Sequence, residues 1–210
     1  MRDEYEATVT GISQTWNEWA VLGGGLDTDG WATPTRCPGW DVAALFAHVS
    51  IFPVILAEAS RMQAPPTGDL LTAVDILRGF NQPDGVAYAM AGMTADRAVS
   101  DAASCAPADL VTRFAVTGGQ AVERLRAADP AIVVPWPAAG PTTLAEGMRI
   151  VLLESVVHLL DAFRALGRTP EVPEAALRDT ARLLAEMAPP VEFVEAATGR
   201  SGRSPLPVLR

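Results

Sequence analysis

Histidine and cysteine are scarce in this chain, two of each: His48, His158, Cys37 and Cys105. Two cysteines cannot build a disulfide framework, so a reduced, cytoplasmic setting is expected. Long apolar runs are missing as well. A membrane span needs roughly 20 apolar residues, and the densest run, IFPVILA at 51–57, is divided by Pro53. The opening MRDEYEATVTG has no basic region followed by an apolar stretch, so no secretory signal is expected. Basic clusters are absent too: the net charge is −9 and the pI about 4.7. A duplex-binding protein needs a basic face to displace counterions, so neither nucleic acid nor membrane is an expected partner.

What is present is apolar mass with helical spacing. Residues are 49% hydrophobic and mean hydropathy is +0.19, which excludes a disordered chain. The length, 210 residues, suits one domain with a sizeable core. Tyr5, Val9, Ile12, Trp16, Trp19 and Ala20 recur at three- and four-residue steps, predicting a helix over 4–22 that Gly23–Gly25 end. Asp41 is a candidate N-cap for a second helix, DVAALFAHVSIFPVILAEASRM, kinked near Pro53. QAPPTGD reads as a loop, and DLLTAVDILRGF and ADRAVSDAAS as shorter helices. A third main helix opens at Pro107 and runs over 107–129, with Gly118 and Gly119 as its weak points. AIVVPW carries the one clear strand signal. Thr143 and Glu146 form a capping-box pattern for a fourth helix, which Gly167 closes. PEAALRDTARLLAEM is a fifth helix. The expected fold is an all-α bundle over residues 1–190 with an irregular tail over 191–210.

ESVVHLLD, residues 154–161, interrupts an otherwise apolar helix. At about 100° per residue, His158 falls roughly +40° and Asp161 roughly −20° from Glu154. The three make one narrow polar stripe without Lys or Arg within a turn of Glu154. On the second helix, His48 shares its face with Ala44, Leu45, Ile51, Phe52, Ile55 and Ala59. A lone histidine on an apolar face is more often hydrogen-bonded to a carbonyl, and the stripe also fits the wet edge of an amphipathic helix. The combination points elsewhere. A buried glutamate needs a compensating cation, and a divalent metal held by His48, Glu154 and His158 would satisfy all three groups. Two histidines and one carboxylate suit zinc and leave positions open, while nickel or iron would also accept the set. Asp161 could orient His158 from behind, or pair with Arg164 or solvent.

TRCPGWDVAALFAHV, residues 35–49, resembles the CPGW…HV opening of the mycothiol-dependent maleylpyruvate isomerase-like family, within the DinB/YfiT-like metal-binding bundles. TTLAEGMRIVLLESVVHLLDAFRALG, residues 142–167, resembles that family's second signature, a Glu-x-x-x-His-x-x-Asp helix ending in Leu-Gly. The ending ATGRSGRSPLPVLR is similar to that of short actinobacterial members. The resemblance spans about residues 4–170 in order and spacing. It implies a four-helix bundle connected up-down-down-up, with extra short helices. It also implies a mononuclear site on His48, Glu154 and His158, usually zinc, and mycothiol as thiol cosubstrate. The isomerase itself carries a further C-terminal domain that this sequence is too short to hold, so the metal bundle is implied more firmly than that isomerisation. The expected protein is a cytoplasmic enzyme, monomer or homodimer. It would be a thiol transferase or isomerase acting on a small electrophile through a metal-bound thiolate. A metal-dependent hydrolase, a non-catalytic small-molecule binder and a purely structural metal bundle are the alternatives. Cys37 is expected to be structural and Trp40 to anchor the loop against the bundle.

Overall fold

The computed structural model describes residues 2–58, 68–83 and 85–209. Helix α1 spans Arg2–Gly24, and Tyr5, Val9, Ile12, Trp16 and Trp19 are all buried, the face their spacing predicts. It ends two residues later than expected because Gly23 is a packing residue. A Cβ there would meet Phe46 at 2.7 Å and Val111 at 2.9 Å. After the one-turn α2 (Thr28–Trp31), Asp41 caps α3 (Val42–Val49) by accepting from the Ala44 N–H at 2.8 Å. The predicted kink is a break. Helix α4 (Ile51–Glu58) starts after Ser50, and Pro53 in its first turn has no N–H to offer the Val49 carbonyl. The expected end of this helix at 59–62, and most of the loop QAPPTGD, lie outside the described residues.

Helices α5 (Ala73–Phe80) and α6 (Val86–Ser104) take the places of the two shorter predicted helices, α6 beginning well before ADRAVSDAAS. The third main helix is not uniform: α7 (Pro107–Thr112) passes through a π-turn (Arg113–Thr117) into α8 (Gly118–Ala127). Gly118 permits the close approach of this segment to Trp16, 3.0 Å from a would-be Cβ. A hairpin follows, β1 (Val133–Trp136) antiparallel to β2 (Gly140–Thr143) with Val133 opposite Thr143. Its second strand, GPTT, is an addition that the all-helical expectation lacked, since Gly and Pro read as loop.

Helix α9 (Leu144–Ala165) carries the predicted cap: Thr143 Oγ1 accepts from the Glu146 N–H at 3.2 Å. The box is not reciprocal. Thr143 is committed to the hairpin, and the Glu146 carboxylate instead accepts from Ala73 N at 2.7 Å, tying α5 to α9. At the far end Gly167 (φ +64°) closes the helix, with Gly167 N–H to Arg164 O and Arg168 N–H to Phe163 O. Helix α10 (Glu174–Met187) matches its prediction. The tail is a correction: Pro190–Ala197 forms α11, with Pro at its first position, and only the stretch beyond is irregular. Val208 and Leu209 then return to pack against the apolar cluster that includes Ile150, Leu153 and Leu183.

Contacts at the helix ends give the connectivity. Gly23, ending α1, lies against Phe46 in α3 and Val111 in α7, while Tyr5, starting α1, donates to the Leu125 carbonyl near the end of α8. The α7–α8 segment therefore runs antiparallel to α1, and α3–α4 runs alongside it in the same direction, α3 against α7 and α4 against α8. Along α1, Gly11 meets Leu152, and Trp16 and Trp19 reach Ser155, so α9 runs parallel to it. The order is up (α1), down (α3–α4), down (α7–α8), up (α9), an all-α DinB-like bundle. Helices α5, α10 and α11 stand outside it, with α6 packed on α3.

Candidate metal centre

Helices α3 and α9 pack directly, and their facing sides carry the predicted residues. His48 Nε2 lies 3.7 Å and His158 Nε2 3.5 Å from the same oxygen, Glu154 Oε2. The two imidazoles stand edge to face, ring centres 5.2 Å apart. All three donor atoms fall within 4.8 Å of one another. The arrangement needs α3 to be fixed in height and rotation against α9, and an aromatic cluster does this. Phe46, two residues before His48, makes edge contacts with Trp19 and Trp31 at 4.6 Å, and Phe114 stacks on Trp19 at 5.3 Å. On the α9 side, Trp16 Nε1 donates to Ser155 Oγ and Trp19 Nε1 to Ser155 O, beside Glu154.

Asp161 completes the site from one turn away. Its Oδ2 lies 2.9 Å from His158 Nδ1 and its Oδ1 accepts from Arg36 Nε. Asp161 thus lies against His158, and its basic partner is Arg36, not the Arg164 that the sequence offered as the alternative. Cys37 Sγ donates to Asp161 Oδ2 at 3.5 Å, and the Trp40 ring covers both imidazoles, 4.8 Å from His48 and 5.9 Å from His158. Sequence reasoning gave Cys37 and Trp40 only packing roles and did not single out Arg36. The signal was the TRCPGW segment itself, which is the stretch that meets α9.

The electrostatics are those of a mutually dependent set. Burial pushes the Glu154 carboxyl up, but hydrogen bonds and charge from His158 and His48 outweigh it and hold it well below the ordinary range. Burial opposes charge on His158, yet Asp161, Cys37 and Glu154 raise it well above the usual imidazole. Asp161 is lowered because His158 and Arg36 overcome its burial. Among the described residues, no Lys or Arg pairs with Glu154, so its charge is offset by the imidazoles alone.

That donor set fits a divalent ion. Nitrogen and oxygen ligands about 2.0–2.1 Å from a tetrahedral ion stand about 3.3 Å apart; the 3.5 and 3.7 Å found here are close to that. Cys37, His158 and Asp161 also lie within 4.8 Å of one another. Asp161 already carries a guanidinium and the His158 N–H, so this second group reads as a hydrogen-bonded support. Beside His48 opens a cavity of about 150 Å³ walled by Ile51, Thr94, Arg97 and Asp101. A larger one, about 580 Å³, lies between α1, α9 and α10 and holds neither histidine nor cysteine.

The fold places the chain among the DinB-like helical bundles. More narrowly, residues 12–163 match the family described as the mycothiol maleylpyruvate isomerase N-terminal domain, and the chain belongs to that family. It is 31% identical over 188 residues to an uncharacterized protein of Mycobacterium tuberculosis strain H37Rv, covering 84% of this chain and 67% of the relative. The uncharacterized counterpart in strain CDC 1551 matches equally. No solved structure matches significantly. No helix among the described residues is long and apolar enough to cross a membrane.

Proposed function

We propose that this protein is a metal-dependent enzyme that uses mycothiol, transferring the thiol to a small electrophile or isomerising that electrophile. It would act in the cytoplasm, as a monomer or homodimer. The observation that carries the reading is the convergence of His48 Nε2, Glu154 Oε2 and His158 Nε2, in a family named for a mycothiol-dependent isomerase. His48, Glu154 and His158 would hold the ion, with zinc the best match and nickel or iron acceptable. A bound divalent ion would supply the Lewis acidity that favours the thiolate form of a thiol beside it at neutral pH. The chain's own groups do the rest. Asp161 keeps the His158 proton on Nδ1, leaving Nε2 as a donor to the ion. Trp40 closes one side of both imidazoles against water. The cavity against His48 has room for a small electrophile held beside the thiol.

Hydrolysis by an activated water is the weaker reading, because it needs a free carboxylate as general base. Asp161 is taken by His158 and Arg36, Asp41 caps α3, and Asp101 in the cavity wall is paired with Arg97. The test is to purify the protein without chelators, measure its metal and supply mycothiol with a panel of electrophiles, following conjugates by mass spectrometry. About one equivalent of metal per chain is expected, lost in His48→Ala and His158→Ala, with products that require the thiol. Protein that takes up no zinc would overturn the ligand assignment. Turnover without thiol would favour hydrolysis, and tight binding without product would favour a sequestering role.

A further inference from the structure

The two histidines are held unequally. His158 Nδ1 meets Asp161, whereas among the described residues nothing hydrogen-bonds His48 Nδ1. Asp161 is only 4% exposed, and two of its partners come from the loop before α3. Arg36 Nε donates to Oδ1, and Cys37 Sγ donates to Oδ2, the same oxygen that faces His158. That loop is well tied down. Thr35 N–H and Thr35 Oγ1 both donate to Trp40 O at 2.9 Å, Trp40 N–H donates to Cys37 O at 3.0 Å, and Gly39 turns the chain at φ +80°. Pro34 and Asp41 bridge across its base. The Trp40 ring at its end lies against both imidazoles.

We propose that Arg36 and Cys37 are positioning residues that act on His158 through Asp161. Left with His158 alone, a carboxylate this deeply buried would have unsatisfied acceptor capacity and freedom to rotate away from Nδ1. Arg36 fixes one oxygen with a planar, directional donor, which lysine cannot reproduce. Cys37 supplies an S–H to the other oxygen, so its part is that of a hydrogen-bonded thiol and not of a metal ligand. The consequence is a His158 whose Nδ1 keeps its proton while Nε2 points at Glu154 and the ion position. This rests on the metal-centre reading for its effect on metal binding; the effect on the imidazole proton stands without it.

The experiment exploits the presence of only two histidines. In metal-free protein labelled with ¹⁵N-histidine, the Asp161-bound Nδ1 proton of His158 is expected as a slowly exchanging downfield resonance, assigned with His48→Gln. It should vanish into exchange in R36A and D161N and exchange faster in C37A, while C37S, which keeps a hydroxyl donor, should restore it. Zinc affinity, by chelator competition, should fall about 10- to 100-fold in R36A and D161N and by a smaller factor in C37A, with rescue in C37S. Exchange and affinity equal to wild type in C37A would overturn the role given to Cys37. R36K, which keeps the charge and loses the planar donor, should weaken zinc binding and speed proton exchange. It serves if R36A fails to fold by circular dichroism. An unchanged resonance and unchanged zinc affinity in both R36A and R36K would overturn the proposal. Thiolate-to-metal absorption in the cobalt-loaded wild type, absent in C37S, would overturn the role given to Cys37. If the wild type takes up no zinc while R36A still loses the resonance, the metal reading fails and the positioning role stands.

Discussion

Glu154 sits in an apolar helix because its charge is answered by imidazoles from two helices, not by water. The same accounting applies to Tyr5, a buried phenol. Its hydroxyl donates to Leu125 O at 2.8 Å, and burial pushes its ionisation up to about 12. A phenol raised in the fold keeps its proton there while the unfolded chain gives its proton up near the ordinary 10.0. The associated stability is therefore whole below pH 10 and is lost as pH rises from about 10 to about 12, by about 2.7 kcal/mol in all. Urea unfolding at pH 8 and pH 11.5 should show this loss in the wild type and a flatter response in Tyr5→Phe. That variant should also start about 1 kcal/mol lower at pH 8 for the missing hydrogen bond. Equal alkaline slopes in the two proteins would show that Tyr5 is not the group responsible.

Among the elements, the end of α1 shows how packing overrides propensity. Gly23 and Gly24 look alike in the sequence and are both helical, yet their surroundings differ. A Cβ on Gly23 would drive into Phe46 and Val111, whereas nothing lies within 4 Å of one on Gly24. Helix propensity favours alanine by up to about 1 kcal/mol at either position. Overpacking against an aromatic cluster costs about 1–3 kcal/mol and should win at the first. Gly23→Ala is expected to lower stability by about 1–2 kcal/mol, and Gly24→Ala to raise it by a few tenths. Chemical denaturation of the two variants checks the opposite signs. Because Phe46 lies two residues before His48, Gly23→Ala should also weaken zinc binding while Gly24→Ala leaves it unchanged.

For the whole molecule, the proposed ligands tie α3 to α9, two helices joined by more than ninety intervening residues. An ion that binds only when they are docked stabilises the folded state by mass action, about 2.7 kcal/mol at a free concentration 100 times its Kd. At this size each kcal/mol is worth about 2–4 °C. Zinc should therefore raise the melting temperature by about 5–10 °C over chelator-treated protein, and should do nothing for His48→Ala. A wild-type protein with the same melting temperature in zinc and in chelator would argue against the site.

Much of this was legible in the sequence where one helix carries the information. The buried face of α1, the Asp41 and Thr143 caps, the Gly167 stop and the stripe of Glu154, His158 and Asp161 follow from 3.6-residue periodicity and local backbone chemistry. The same projection put His48 with Ala44 and Leu45, which are buried, but also with Ile55, which the break at Ser50 leaves 40% exposed. The family's two signatures grouped His48 with α9. Tertiary structure alone decided the rest. Pro53 announced a disturbance, and the structure places it as a break at Ser50, with α4 packed on α8 and the π-turn. Glu146 left its capping box for Ala73, and Asp161 took Arg36 from 125 residues away over Arg164 nearby. A sequence states which groups will be buried and unsatisfied. Which distant group satisfies each of them depends on how the helices stack.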